Sequence, residues 1–575
     1  MKGLFPWRLS GAWALFRSDD RLFLIICGLM VGAAGGFAAY LLNQGLGFLL
    51  HLLQPLRSYS WAFILPGVGA ALSVIFLTKV VREKGGHGVP EVIYSVSRLG
   101  GKLHARAMFS RLVASCLTIG SGGSAGPESP VVISGAAIGS NMARFFSMNE
   151  RQRVTMLGCG AAGAISSIFN APIAGLVFVL EVVLGEWSRA HIVPIAVASV
   201  AGTEVSRYLS GNQIAFSHHS FSISFYDTLA CTGLAVFTAF ISVVMTRIIR
   251  TMHGISGRTP LPVWVRAAVG GCAVGLIGFV VPDVLGEGYH SIRDMIEGVY
   301  SQGISLVLIG CFAKVLATSM TLGWGGSGGI FAPSLVVGSF AGLAYHRVLV
   351  SLFPAYTWVN EGCYGLLGMA GLISGILQAP LTGIFLIVEI TGSYEVILPL
   401  ILISSISSTL CYYFEPASFY MKELVERGHL LRPGTDARVL SDLSVLELLE
   451  QDCHVIRQDM PLREFVRVVT RSRRNYYPVE DPESGMFQGL VTLDDIRPYL
   501  FETLMYDAVF VDQFMVKDVK VVHVEDNVAD VLDTMDDLDL YSMPVVDQGK
   551  FLGMISKATL LDHYRKELMV QTSQE

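Results

Sequence analysis

Gly120–Pro130 reads GSGGSAGPESP, and Gly323–Pro333 reads GWGGSGGIFAP. Laid over each other, they share Gly122/Gly325, Gly123/Gly326, Ser124/Ser327, Gly126/Gly329 and Pro130/Pro333, and the match continues through Gly135/Gly338 and Gly139/Gly342. Glu128 stands in one where Phe331 stands in the other. Each stretch interrupts apolar sequence just before a new helix-like run. Each can therefore aim a helix N-terminus, with its free N–H groups and partial positive charge, at an anion. Paired broken segments in the two halves of a membrane protein point to an ion site near the bilayer midplane.

The rest of the chain fits a membrane setting. It has 575 residues, 52% hydrophobic and 15% charged, with a mean hydropathy of +0.54, which is too apolar for a soluble protein of this size. Leu22–Leu42, Trp61–Val80, Leu229–Ile248 and Ile304–Leu322 approach or reach the roughly 20 residues that cross a hydrocarbon core. Val131–Ala143 and Ala171–Leu184 are shorter, so their ends must be buried in protein. Sixty glycines suit close helix approach. Residues 1–20 carry scattered Lys2, Arg8 and Arg17 without a cleavage pattern, and read as a retained cytoplasmic segment. The nine cysteines are dispersed without ligand spacing, so they read as buried small hydrophobes rather than a metal site. From residue 421 onward lie 29 of the 47 acidic residues, and the apolar runs shorten, as expected of a soluble appendage.

The internal echo is wider than the two loops. Gly86-His87-Gly88-Val89 matches Gly286-Glu287-Gly288-Tyr289, and Asn170-Ala171-Pro172-Ile173 up to Glu181 matches Gln378-Ala379-Pro380-Leu381 up to Glu389. Three echoes in one order, at offsets of 200, 203 and 208 residues, argue for duplicated halves over 21–225 and 226–425. The echo alone suits parallel or inverted halves.

Gly86-His87-Gly88-Val89-Pro90, Gly126-Pro127-Glu128-Ser129-Pro130, Gly329-Ile330-Phe331-Ala332-Pro333 and the late Tyr420 resemble, in order and spacing, the anion-site motifs of the CLC chloride channel and transporter family. The usual forms there are GSGIP, GREGP and GxFxP, followed by a tyrosine near the end of the membrane domain. The resemblance covers about residues 20–425. It implies a polytopic α-helical membrane protein, an inverted repeat of tilted and broken helices in a lipid bilayer, forming a homodimer with one chloride pathway per subunit. It also implies a central chloride site built from the His87 side chain beside Gly88, the backbone N–H groups of Ile330 and Phe331, and the Tyr420 hydroxyl. Glu128 falls on the gating glutamate, and Gly126, Pro127, Ser129 and Ala332 fall on an external anion loop. Neutral donors and dipoles of this kind can dehydrate an anion without trapping it. An ionised carboxylate there competes with the anion and a protonated one can withdraw, which couples passage to pH. The chain departs from the family pattern at His87, where serine or proline is usual. Pro127 replaces arginine and removes a backbone N–H, and Ser129 replaces glycine.

Many proton-coupled members carry an inner glutamate, one residue after the first glutamate of a motif like NAPxxGxxFxxEE. Here NAPIAGLVFVLEV places Glu181 first and Val182 second. Valine relays no proton, so the expected function is a passive voltage- or pH-gated chloride channel. A chloride/proton antiporter is the alternative, since water can bypass a missing carboxylate. Glu181 and Glu389, at equivalent places, are expected to make structural hydrogen bonds. Arg111 either raises the local positive potential or forms an ion pair.

The tail repeats as well. Tyr477-Pro478-Val479 followed by Gly489–Asp495 is echoed by Met543-Pro544-Val545 followed by Gly553–Thr559. Both read strand, turn, strand, helix, after amphipathic helices around Leu462–Arg471 and Val528–Met535. They resemble a cytoplasmic α/β pair of CBS modules at 444–505 and 511–570. In that family a Thr/Ser-x-x-Asp motif often contacts adenosine ribose. Thr492 and Asp495 match it, and Thr559 replaces the acid in the second module, so a possible adenine nucleotide stands beside a plain dimerisation role. No other cofactor is required by this reading, no catalytic residue is assigned, and no nucleic-acid partner is expected. None of the thirteen histidines begins HExxH, and the glycine loops lack the lysine of GxxxxGK[ST]. The different-class alternative is a CBS-linked divalent-cation transporter, which needs acidic clusters within membrane segments. The expected location is a bacterial inner membrane, with N-terminus and tail cytoplasmic.

Overall fold

Helices form where apolar sequence runs unbroken and stop where glycine, proline and polar residues gather. In the computed structural model, the described residues are 20–83, 88–211, 216, 221, 223–426, 443–472 and 474–572. The N-terminal segment 1–20 lies outside them except for Asp20, and so does His87. The first half contains α1 (Asp20–Leu53), α2 (Leu65–Ile75), α3 (Val89–Arg98), α4 (Ala107–Gly120), α5 (Glu128–Phe145), α6 (Glu150–Phe169), α7 (Pro172–Phe178) and α8 (Arg189–Ser210). The second half returns the series as α9 (Phe225–Arg258), α10 (Val263–Val280), α11 (Tyr289–Ile296), α12 (Ile304–Gly323), α13 (Phe331–Leu352), α14 (Glu361–Leu377), α15 (Pro380–Thr391) and α16 (Ile397–Phe414). Then α17 (Phe419–Glu426) carries Tyr420.

Seven helical segments among the described residues are long and apolar enough to cross a membrane. Others, such as α4 and α15, are short. The run Trp61–Val80 is broken into a 3₁₀ turn, α2 and a π-helical turn, Phe76–Val81.

Repeat symmetry extends to the packing. α5 crosses α6 so closely that a methyl group on Gly135 would lie 2.1 Å from the Gly160 carbonyl oxygen, and one on Gly160 would lie 1.9 Å from that of Gly135. In the other half, Gly338 and Gly368 stand in the same relation, at 2.6 and 2.2 Å. Only glycine lets these backbones touch, which replaces the hydrophobic drive that lipid withholds. Asn170 and Gln378, at φ 56° and 55°, each end a helix in the left-handed region, and a proline two residues later opens the next helix. The halves meet about a local two-fold axis, as the antiparallel pairing described below reflects.

The soluble unit is built from two modules. In the first, β1 (Ile456–Arg457) runs parallel to β2 (Tyr476–Glu480), which pairs antiparallel with β3 (Phe487–Thr492) beside α18 (Leu462–Arg471) and the short α19 (Leu493–Ile496). In the second, β4 (Ser542–Asp547) pairs antiparallel with β5 (Lys550–Ser556) between α20 (Val528–Asp537) and α21 (Lys557–Thr572). Both hairpins shift register at matching places, Val479/Glu480 and Val545/Val546. The lead residues cross over: Val445 and Leu448 pack with Met543, Val545 and Ile555 of the second module. Glu450 exchanges backbone hydrogen bonds with Met554.

Candidate functional site

The two glycine loops clasp each other. Gly126 N donates to Gly329 O at 2.8 Å, and Gly329 N returns a bond to Gly126 O at 2.7 Å. Further out, Ser124 N donates to Thr321 Oγ1 at 3.0 Å, and Ser327 N donates to Thr118 Oγ1 at 3.2 Å. Gly122 and Gly325 both hold positive φ, 113° and 104°, which bends each loop back from the helix before it. Each residue therefore meets its own counterpart antiparallel, the signature of a local two-fold axis. Past the clasp, α5 starts at Glu128 and α13 at Phe331, and neither start is capped by a side chain. Two helix N-termini with their unpaired N–H groups thus open beside one another.

Glu128 lies in this junction, 1% exposed. The Tyr289 hydroxyl donates to its Oε1 at 2.6 Å. Its Oε2 is buried without a well-formed hydrogen bond, near the backbone of Ala332 at the start of α13. It rests against Gly126, where a methyl group would come within 2.0 Å of Oε2 and 3.0 Å of the Ala332 side chain. The carboxylate of one half is thereby folded toward the helix start of the other.

One residue on, Ser129 gathers the remaining groups. Its hydroxyl lies 3.3 Å from the Tyr420 hydroxyl. Gly88, at φ 85°, approaches its carbonyl so closely that a methyl group would sit 2.8 Å away, and Gly329 approaches its side chain. Ser129, assigned by motif to the external loop, thus faces Tyr420. Phe331 is buried with its ring 5.2 Å from Phe169 and 6.0 Å from Phe178, and Ile330 is the residue capping α13. Gly88, Ser129, Gly329 and Tyr420 therefore meet around one point, with Phe331 opening the adjoining helix. Pro127 is the residue before α5.

Val182 lies in the π-helical turn Val179–Leu184 after α7, half-buried against the core. Its neighbour Glu181 accepts from Leu381 N at 3.1 Å and Thr382 N at 2.7 Å, in the first turn of α15. Glu389 returns the contact, accepting from Ile173 N at 3.0 Å and Ala174 N at 2.7 Å in the first turn of α7. These are structural bonds, as the equivalent places suggest. Arg111 is buried and pairs with Glu91 at 2.7 Å, an ion pair. Its counterpart Lys314 is fully buried and donates to the Val284 and Gly286 carbonyls, both at 3.0 Å.

In the tail, Thr492 and Asp495 satisfy each other. The Thr492 hydroxyl donates to Asp495 Oδ2 at 2.7 Å, and Asp495 N donates to Thr492 Oγ1 at 3.3 Å, a capping box on α19. In the second module, Ser556 and Thr559 both donate to Glu450, whose other oxygen takes Arg474 at 2.5 Å. Burial pushes the Glu450 carboxyl up, but these hydroxyls and the arginine outweigh it and hold the group below the usual carboxylate range. The carboxylate missing from the second module's motif is thus supplied from the lead segment.

The voltage gated chloride channel family matches residues 68–412. This chain is a CLC protein. CBS domains match 445–502 and 511–566. A ClcB-like protein of Ralstonia nicotianae is 31% identical over 395 residues, covering 66% of this chain and 91% of the relative. The H(+)/Cl(-) exchange transporter ClcA of Klebsiella pneumoniae (strain 342) is 29% identical over 425 residues, covering 69% and 87%. Among solved structures, a slow cyanobacterial Cl-/H+ antiporter superposes with a TM-score of 0.63 at 22% identity, over 71% of this chain and 98% of that one. A eukaryotic CLC transporter gives 0.64 at 16% identity over 95% and 98%. The protein is therefore a multi-pass membrane protein of an anion-transporting family, and the divalent-cation alternative has no support.

Two residues beside Glu128 lie outside the anion-site motifs. Tyr289 occupies the place of Val89 in the other half, and the signal was a hydroxyl-bearing ring after the Gly-x-Gly echo. Glu287, on the same turn, lies close enough to Glu128 and Lys314 for their charges to interact.

Proposed function

We propose that this CLC protein conducts chloride passively through a pathway between the clasped loops, with Glu128 as its gate. The observation that carries the reading is the buried Glu128 carboxylate, folded from α5 over Gly126 toward the uncapped start of α13. An anion drawn to that helix start has to displace the carboxylate. Protonation removes the charge that holds it there, so flux rises as pH falls. Ile330 and Phe331 N–H groups, the Tyr420 hydroxyl and His87 beside Gly88 form the chloride site, Ser129 lies against Tyr420, and Gly126, Pro127 and Ala332 form the site's outer wall. Val182 at the inner position favours conduction over exchange.

Chloride/proton exchange is the second reading, favoured by the exchange activity for which the Klebsiella relative is named. The reversal potential of purified protein in bilayers under a chloride gradient separates them. A channel tracks chloride alone, whereas a potential displaced by an added pH gradient overturns passive conduction.

The same reading makes the protein a homodimer in a bacterial inner membrane, with N-terminus and tail in the cytoplasm, where the Thr492–Asp495 turn binds an adenine nucleotide without hydrolysing it. ATP, ADP or AMP at millimolar concentration should raise the melting temperature of the tail, and Asp495→Ala should abolish the rise. No rise with any of the three leaves a packing role.

A further inference from the structure

Tyr289 opens α11, turned into place by Gly288 at φ 85°. Its ring meets Phe216 edge to face at 6.0 Å, so packing fixes where the hydroxyl points. That hydroxyl reaches Glu128 from 161 positions along the chain. Val89 holds the equivalent place in the first half and opens α3 without a hydroxyl.

We propose that Tyr289 is a positioning residue for the gate, its hydroxyl latching the ionised Glu128 carboxylate across the anion pathway. The inference rests on Glu128 being the gate and adds what holds that gate shut. An ionised carboxylate only accepts hydrogen bonds and a neutral phenol donates one, so the bond is of the strong, charge-assisted kind. It favours the charged, inserted gate over the protonated, withdrawn one.

The other charged or titratable groups facing the carboxylate act differently. Glu287, on the same turn as Tyr289, lies near it without a hydrogen bond to it, and Lys314 of α12 has its side-chain nitrogen bound to the Val284 and Gly286 carbonyls. Asp283 bears on Lys314. Tyr420 of α17 senses the Glu128 charge while its hydroxyl faces Ser129. Among the described residues, Tyr289 is the side chain that hydrogen-bonds the gate itself.

The test is chloride flux against pH in liposomes holding the full chain, for wild type, Tyr289→Phe, Glu128→Ala and the double variant. Tyr289→Phe keeps the ring on Phe216, and the midpoint of the curve does not depend on the amount of active protein. That midpoint should move about one unit to higher pH, roughly tenfold in proton affinity. Tyr289→Val, the residue of the other half, should move it the same way. In the Glu128→Ala background the tyrosine substitution should change nothing. An unmoved midpoint in both tyrosine variants overturns the latch, as does an equal change with and without Glu128, which would place Tyr289 on the pathway itself. A Glu128→Ala protein with the wild-type pH profile overturns the gate, and the latch with it.

Discussion

At position 128 one half of the repeat carries a carboxylate, and at the matching position the other half carries Phe331 on an equivalent helix start. A symmetric backbone thus carries asymmetric side chains, a carboxylate at one helix start and an apolar ring at the other. Gly126 is what allows the carboxylate to lie flat, since a methyl group there would stand 2.0 Å from Oε2. Gly126→Ala should push the carboxylate out of the junction, raise chloride flux severalfold at neutral pH and flatten its pH dependence. Wild-type flux in that variant, read by a chloride electrode on proteoliposomes, would mean that the carboxylate does not block the path. The place of Glu128 at a helix start was legible in the sequence because it lies within a dense motif. Tyr289 was not, because it lies 161 residues away and only folding brings the two side chains together.

Among the elements, the most telling contact is the exchange of caps between α7 and α15. Each opens with a proline, which supplies no N–H, so two first-turn donors remain to be satisfied. Glu389 takes those of α7 and Glu181 those of α15. Glu181→Ala and Glu389→Ala should each cost about 1–3 kcal/mol through the donors left unpaired, with a similar drop in melting temperature in detergent. A loss in one variant and none in the other would break the symmetric account. The expected structural role of the two glutamates was readable from their equivalent places, but their partners were not, since each cap reaches across about 200 residues. Helix existence was legible from apolar runs. The break of Trp61–Val80 into three pieces was not, because composition there stays apolar across the π-helical turn.

For the whole molecule, duplication explains why a chloride pathway can be assembled from broken helices. Two copies of one topology, inverted and joined by reciprocal Gly126–Gly329 bonds, bring two helix starts together, and the mirrored glycine crossings hold the bundle close around them. The order of echoes in the sequence revealed the duplication, whereas the local two-fold axis that relates the halves required the antiparallel pairing. The tail repeats at its own scale, yet its modules trade their lead segment, and Glu450 fills the acid position of the second module. That exchange was hidden because Glu450 lies 106 residues from Ser556. All of this converges on one carboxylate between two helix starts, so the most direct measurement is the pH dependence of chloride efflux from proteoliposomes carrying Glu128→Gln. The amide mimics the protonated gate, so efflux should be high and flat across pH; efflux that still rises with acid as in the wild type would contradict the account.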